Sequence, residues 1–271
     1  MAITSLLVFT DGIASLLIGL VTFVRPDWPL KIVFQHWGDG VQWHLARCIG
    51  AQFVGLSLTW LVLGRSLARP THTACHQSRI LMSILGLLMC NDALRNHAEM
   101  FVPNFLYALM TLLALTLIVN LRQLVNTRCP IGATLPHKEQ TLMQAIVTLD
   151  KFVALVVGIM WIAFPGKILF RQITTPLLDE HEFLGRMMGV VFVSSHIMSA
   201  QALYWSKAVD RKYWAYGRAL MCLGILSAQI WSQYAYHSWW NNNHWVGITL
   251  FSCWSAGSFG FTSLMASGRF K

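Results

Sequence analysis

Apolar residues in this chain come in long runs, not in alternation or short clusters. Eight stretches, at 3–24, 45–64, 80–94, 101–121, 143–164, 184–205, 216–236 and 245–265, are dominated by apolar side chains and separated by short polar segments. A helix needs about 20 such residues to cross bilayer hydrocarbon. The pattern therefore predicts an all-α, polytopic membrane protein with eight transmembrane helices. The third run is the shortest and ends in Asn91, Asp92, Arg95, Asn96, His97 and Glu99. The run at 3–24 lacks the basic leading segment of a cleaved signal peptide and reads as a retained first helix.

The runs repeat. Sliding the sequence along itself, without gaps, until Asp11 lies on Asp150 also lays Gly19 on Gly158, Pro26 on Pro165, Arg47 on Arg186 and Gly50 on Gly189. The same offset lays Phe53 on Phe192, Arg79 on Arg218, Leu81–Met82 on Leu220–Met221 and Asn104 on Asn243. Coincident Asp, Gly, Pro and Arg carry this alignment, because shared hydrophobicity would not place them together, and self-similarity at a fixed period is a signal about the whole fold. An even number of helices per unit makes the two units parallel, related by an axis along the membrane normal. The expected organisation is a first four-helix repeat at 1–127, a cytosolic linker at 128–142 carrying Pro130, Gly132 and Pro136, and a second four-helix repeat at 143–271.

Composition agrees with lipid as the solvent. Of 271 residues, 55% are hydrophobic and 11% charged, with mean hydropathy +0.53, whereas soluble domains carry roughly 25% charged residues. The formal net charge of +9 would suggest nucleic acid on a soluble protein. Here the basic residues fall between apolar runs, which fits an anionic membrane face and no nucleic-acid partner. Cys48, Cys75, Cys90, Cys129, Cys222 and Cys253 form no close pair and read as packing residues.

Loop charges set an expected orientation. The even connections hold Arg65, Arg69, Arg79, Arg122, Arg128, Lys138, Lys207, Arg211, Lys212 and Arg218, and the tail adds Arg269 and Lys271. The odd connections and their margins hold Arg25, Lys31, Arg47, Arg95, Lys167, Arg171 and Arg186. The positive-inside rule puts both termini in the cytosol. Trp28, Trp37, Trp43, Trp239, Trp240 and Trp245 then belt the opposite interface.

The candidate site residues are the polar groups within or beside the runs. Asp11 and Asp150 occupy the same early position in the first helix of each repeat. Ionisable groups at membrane depth raise function by default, but both lie near a helix N-terminus that favours a carboxylate, and Lys151 stands next to Asp150 as a salt-bridge partner. Arg47 and Arg186 open the second helix of each repeat in Arg-x-x-Gly, with the glycine admitting a neighbouring helix. Each arginine can snorkel, fork a lipid phosphate, or pair with a carboxylate such as Asp39 or Glu182. Asp92 and Arg95, spaced i, i+3, can pair on one helix face at a helix end emerging into water or in a polar cavity of the first repeat. Among ten histidines, His196 falls mid-run in the sixth helix and can titrate there. His72 and His76 fall at i, i+4 in a basic connection. No histidine set matches a haem or metal site, and no cofactor is expected. No nucleophile elbow, phosphate loop or carboxylate pair marks an enzyme.

Each repeat runs from an apolar helix through a proline and a connecting segment to an Arg-x-x-Gly opening: Phe23-Val24-Arg25-Pro26 to Arg47-Cys48-Ile49-Gly50, and Ala163-Phe164-Pro165 to Arg186-Met187-Met188-Gly189. This resembles the DoxX-like small four-helix membrane proteins, including the tumour-suppressor-inducible protein eleven type, over the first two helices of each repeat. The resemblance implies a four-helix membrane fold, here doubled, and a non-enzymatic role. The expected function is an integral membrane subunit that anchors or organises a larger complex and handles lipid, as in lipid transfer or membrane contact at the endoplasmic reticulum. Its expected partners are membrane lipids and other membrane-protein subunits. The competing expectation is a small-molecule or proton-coupled transporter with its site between the repeats.

Overall fold

A computed structural model describes residues 2–36, 38–130, 132 and 141–267. Helix α1 (Ala2–Val24) is followed by the short α2 (Asp27–Val33), then by α3 (Gly40–Leu63), α4 (Arg69–Asn96) and, after a 3-10 turn at Ala98–Met100, α5 (Phe105–Asn126). Next come α6 (Thr141–Ala163), the short α7 (Pro165–Phe170), α8 (Asp179–Ala202), α9 (Ala208–Ala235), a 3-10 turn at His237–Trp239 and α10 (His244–Ala266). Helices and two isolated bridges account for the regular structure of the described residues. The linker residues at 131 and 133–140 (Pro136 and Lys138 among them), Trp37, Arg269 and Lys271 lie outside them.

Local chemistry fixes several boundaries. Pro165 opens α7, where its missing N–H would be unpaired in any helix. Asp39 caps α3 by accepting from the Gln42 backbone N–H at 2.7 Å. Two helices begin two or more turns before their apolar runs. α4 begins at Arg69 and not near residue 80, and α9 begins at Ala208 and not near residue 216. Their first turns carry polar side chains such as Thr71, His72, Thr73, Asp210 and Arg211, which are buried against neighbouring helices. A hydropathy run stops where such residues start, although the helix does not.

Five helices are long and apolar enough to cross a membrane: Ile3–Val24, Gly40–Leu63, Phe105–Asn126, Met143–Ala163 and Asp179–Ala202. Large apolar side chains point outward from this group, including Ile3, Leu6, Ile118, Val125, Leu149 and Phe152, each at least 60% exposed. Such a surface suits hydrocarbon and not water. α3 and α8 form the centre, with 61% and 72% of their apolar windows buried, against 11–22% for α1, α5 and α6.

Packing crosses between the sequence halves. α3 packs on α1, α9 and α8, while α8 packs on α6, α4 and α3. By contrast the backbone of α3 approaches that of α4, its neighbour in sequence, at few points, and the same holds for α8 and α9, which meet mainly through side chains. Each half is therefore completed by the other. Glycine permits the closest approaches. A Cβ on Gly50 would lie 2.6 Å from the Phe23 nitrogen and 2.8 Å from the Gly19 carbonyl oxygen, and one on Gly189 would lie 2.7 Å from the Gly158 carbonyl oxygen.

Backbone pairing recurs at the offset seen in the sequence. Phe34 bridges Phe101, and Ile173 bridges Trp240. Around the first bridge, Gln35 donates to Met100 at 2.9 Å and Val102 to Val33 at 3.0 Å; around the second, Thr174 donates to Trp239 at 3.0 Å and Asn241 to Gln172 at 2.8 Å. The offset that lays Asp11 on Asp150 lays every member of the first set on its counterpart in the second.

Polar ties lock the halves at both ends. At one end His181 meets Asp39 at 2.7 Å and His97 meets Asp179 at 2.8 Å. At the other, Ser66 and Thr71 donate to the buried carboxylate of Asp210 at 2.6 and 2.7 Å.

Candidate functional site

Two cavities lie among the outer helices. The first, about 380 Å³, is enclosed by α1, α4 and α5, with Trp60 of α3 at its back. The second, about 340 Å³, is enclosed by α6, α9 and α10. α1 packs on α3 and α5 on α4, so the first cavity is a slot between two helices that do not seal against each other. The same holds for α6 on α8 and α10 on α9.

Each cavity holds an aspartate–arginine pair. In the first, Arg79 of α4 pairs with Asp11 of α1, donates to the Ser15 hydroxyl at 3.3 Å and lies over the Trp60 ring at 4.7 Å. In the second, Arg218 of α9 meets Asp150 of α6 at 3.1 Å. Arg218 also donates to the hydroxyls of Ser195 at 3.1 Å and Ser199 at 2.9 Å. Ser199 and the Trp254 indole then donate to Asp150 at 2.7 and 2.9 Å. Joining two opposite charges removes the net charge that apolar surroundings penalise. The pairs hold the first helix of each half against the third while leaving apolar walls around them.

The pairing corrects three expectations. Arg79 and Arg218 are helix residues inside the structure, not connection charges. Arg218, not Lys151, is the partner of Asp150. Asp150 is 7% exposed, so solvation at a helix end does not account for it. The sequence held a usable signal: both aspartates and both arginines coincide under one offset, as two equivalent pairs require.

The walls differ between the cavities. Thr10, His76 and Leu115 line the first, and their counterparts under that offset, Leu149, Ala215 and Trp254, line the second. Asn120, which also lines the first, corresponds to Phe259. The Asn120 side chain donates to the Thr116 carbonyl at 2.8 Å, which turns its oxygen towards His76 Nδ1, 2.7 Å away. Nδ1 therefore donates, and the buried Nε2 is left as an acceptor with no partner among the described residues.

The remaining candidates spread over other regions. Arg186 pairs with Asp92 of α4 at 2.7 Å and with Glu182 at 3.5 Å, which joins the halves. Arg47 donates to the Tyr236 hydroxyl at 3.2 Å and lies 6.0 Å from the Trp231 ring. Trp231 is the counterpart of Asp92 under the offset, so one contact between the halves is an ion pair and its counterpart is a cation–aromatic contact. Asp39 pairs with His181 and not with Arg47. The expected Asp92–Arg95 pair does not form: Asp92 takes a hydrogen bond from Asn96 at 2.9 Å in addition to Arg186, and Arg95 is exposed. His196 donates from Nδ1 to the Lys151 carbonyl at 3.0 Å and fastens α8 to α6. It is half-buried, whereas His44, His72, His76, His181 and His244 are buried. His72 and His76 sit within α4, not in a connection, and His72 Nε2 meets the Leu63 carbonyl at 3.1 Å.

Among the described residues no group of three His, Cys, Asp or Glu side chains is placed to hold a metal. No curated protein and no solved structure matches the chain. Residues 9–261 do match one family model, described as "Domain of unknown function (DUF8292)". That match spans nearly the whole of the helical assembly and most of the lining of both cavities, and the chain belongs to the DUF8292 family.

Proposed function

We propose that this chain is an integral membrane protein of eight spans, built as two parallel four-helix repeats, and that it serves as a non-enzymatic subunit handling lipid in its lateral cavities. The observation that carries the reading is the pair of equivalent slots, each apolar-walled, each neutralised by an aspartate–arginine pair, and each lying between helices whose outer faces are apolar. Small-molecule sites are concave and mostly apolar, with a few placed polar groups. A slot between helices in a bilayer meets acyl chains before it meets anything dissolved in water.

Five of the eight spans rest on length and composition. The others, α4, α9 and α10, fall short because they carry polar residues: Arg79, Asp92, Arg211 and Arg218 on α4 and α9, and many Ser and Gly on α10. Arg79, Asp92 and Arg218 are paired, and Arg211 donates to the Trp205 carbonyl, so their cost in lipid is reduced. The repeat is supported by bridges, glycine contacts and ion pairs that match under the single offset. Cytosolic termini are supported by charge counts: with Arg79 and Arg218 removed from the connections, ten basic residues remain on the even side and tail against seven on the odd side. An endoplasmic-reticulum home and partner subunits complete the proposal. The motif likeness of Ala163-Phe164-Pro165 and Arg186-x-x-Gly189 to DoxX-like proteins supports a helical membrane role and nothing more specific.

A transporter with a site between the repeats finds less support. The space there, beside Gly55, Gly217 and Met221, is about 10 Å³, too small for a solute. The deciding experiment purifies the protein from native membranes and identifies what comes with it. A retained lipid with a stoichiometric protein partner supports the proposal. Solute flux in reconstituted vesicles, lost in Asp11→Asn and Asp150→Asn, would replace it with transport.

A further inference from the structure

Beyond the first slot, towards the start of α4, lies a further cavity of about 530 Å³. Arg69, in the first turn of α4, and Arg122, near the end of α5, line it together with Thr4, Gln123, Asn126 and Thr127. Val119 lines both this cavity and the slot, and Thr4 and His72 stand one helical turn from Val8 and His76. The two spaces therefore follow one another along the same groove. Thr4 donates to Gln123 at 3.1 Å and ties α1 to α5 at this level.

The charge here is unbalanced. The ion pairs among the described residues involve neither Arg69 nor Arg122. No acidic residue of α4 itself occupies its first turn, and the Asp210 carboxylate beside that turn is engaged by Ser66 and Thr71. Two guanidinium forks beside amide and hydroxyl groups suit a phosphate, which arginine binds with paired hydrogen bonds. Below them the groove turns apolar, walled by Leu7, Val8, Leu115 and Val119.

Resting on the lipid-handling reading above, we infer that the two cavities form one site for a single phospholipid. Its phosphate sits between Arg69 and Arg122, and an acyl chain descends the slot past the Asp11–Arg79 pair. A soluble phosphate would use only the upper half of this groove. Among the described residues the second half does not repeat this arginine pair, because the counterparts of Arg69, Arg122, Thr4 and Asn126 are Ala208, Phe261, Met143 and Met265. The stoichiometry is one headgroup-held lipid per chain.

Native mass spectrometry of the full chain in mild detergent tests this, with palmitoyl-oleoyl phosphatidylserine, the diacylglycerol bearing the same chains, and inorganic phosphate as probes. One phosphatidylserine is expected to stay bound, with retention falling on the order of tenfold in Arg69→Gln/Arg122→Gln. Val119→Trp, which fills the slot and leaves both arginines, should lower retention as well. Helix content by circular dichroism should match the unaltered chain in both variants. Equal retention of diacylglycerol, or unchanged retention in the double variant, overturns the phosphate site while leaving lipid handling in place. Displacement of the lipid by inorganic phosphate alone overturns the acyl-chain half. Loss of all lipid retention from the unaltered chain overturns the lipid-handling reading itself.

Discussion

The two cavities share one plan and differ in what surrounds it. Both set an aspartate on the first helix of a half against an arginine on the third. In the second cavity that pair is sealed: side-chain exposures are 4% for Arg218 and 8% for Asp150, and two serines and a tryptophan supply further hydrogen bonds. In the first the pair is more open, at 16% for Arg79 and 26% for Asp11. Its walls are more polar, with His76 and Asn120, and it leads to a mouth with two arginines that join no ion pair among the described residues. The lesson is that two ion pairs at matching sequence positions can sit in different surroundings. The second pair is built as a structural clasp, while the first keeps the same clasp at the floor of an accessible groove.

That comparison can be broken by measurement. Asp150→Ala leaves the Arg218 guanidinium buried without its counter-charge, and the expected loss is about 3–5 kcal/mol, read by denaturant unfolding in detergent micelles. A loss under about 1 kcal/mol, the range of an exposed pair, would show that the seal is not energetic.

Next in size are the glycine crossings, which both halves share. Gly50→Ala and Gly189→Ala should each cost about 1–3 kcal/mol, because the added methyl meets backbone atoms that cannot step aside alone. Similar costs are expected from the two, and a large disparity in thermal midpoint would mean that the halves differ in framework as well as in walls.

Asp11→Ala follows, with an expected cost of about 1–2 kcal/mol, since water and neighbouring dipoles screen a partly open pair. Its cost should be smaller than that of Asp150→Ala under the same conditions. A reversed order would sink the distinction drawn between clasp and groove.

The smallest effect belongs to Asp92→Asn. Its bridge to Arg186 is roughly a third exposed on both sides, and such pairs contribute about 0–1 kcal/mol. Cross-linking between α4 and α8 should survive this change, since Ser78 still donates to the Ser194 carbonyl at 2.8 Å and joins the same helices.

Much of this architecture was legible in the residues themselves. Each of the eight apolar runs lies on a long helix, because sustained hydrophobicity reports local solvent preference. The coincidences at Asp11/Asp150, Arg79/Arg218 and Gly50/Gly189 are visible without coordinates. Which aspartate meets which arginine is not, because hydropathy ends a run at a charged residue and so assigns Arg79 and Arg218 to connections, whereas α4 and α9 continue through theirs. His72 and His76 fall on the wrong side of the same boundary for the same reason. The Asp92–Arg95 spacing is right for a pair, but a partner on another helix, Arg186, offers the carboxylate a contact across the half-to-half interface.

What the chain determined by itself was the number of long helices, their apolar exterior and the coincident positions that relate one half to the other, because each depends on side-chain chemistry along one dimension. Tertiary structure alone decided that α3 would pack on α9 and not on α4, that the slots would open between α1 and α5 and between α6 and α10, and that one groove would end in arginines outside any ion pair of the described residues. Those outcomes depend on how far each helix is rotated about its axis and how closely glycines let it approach, and a run of apolar letters carries no record of either.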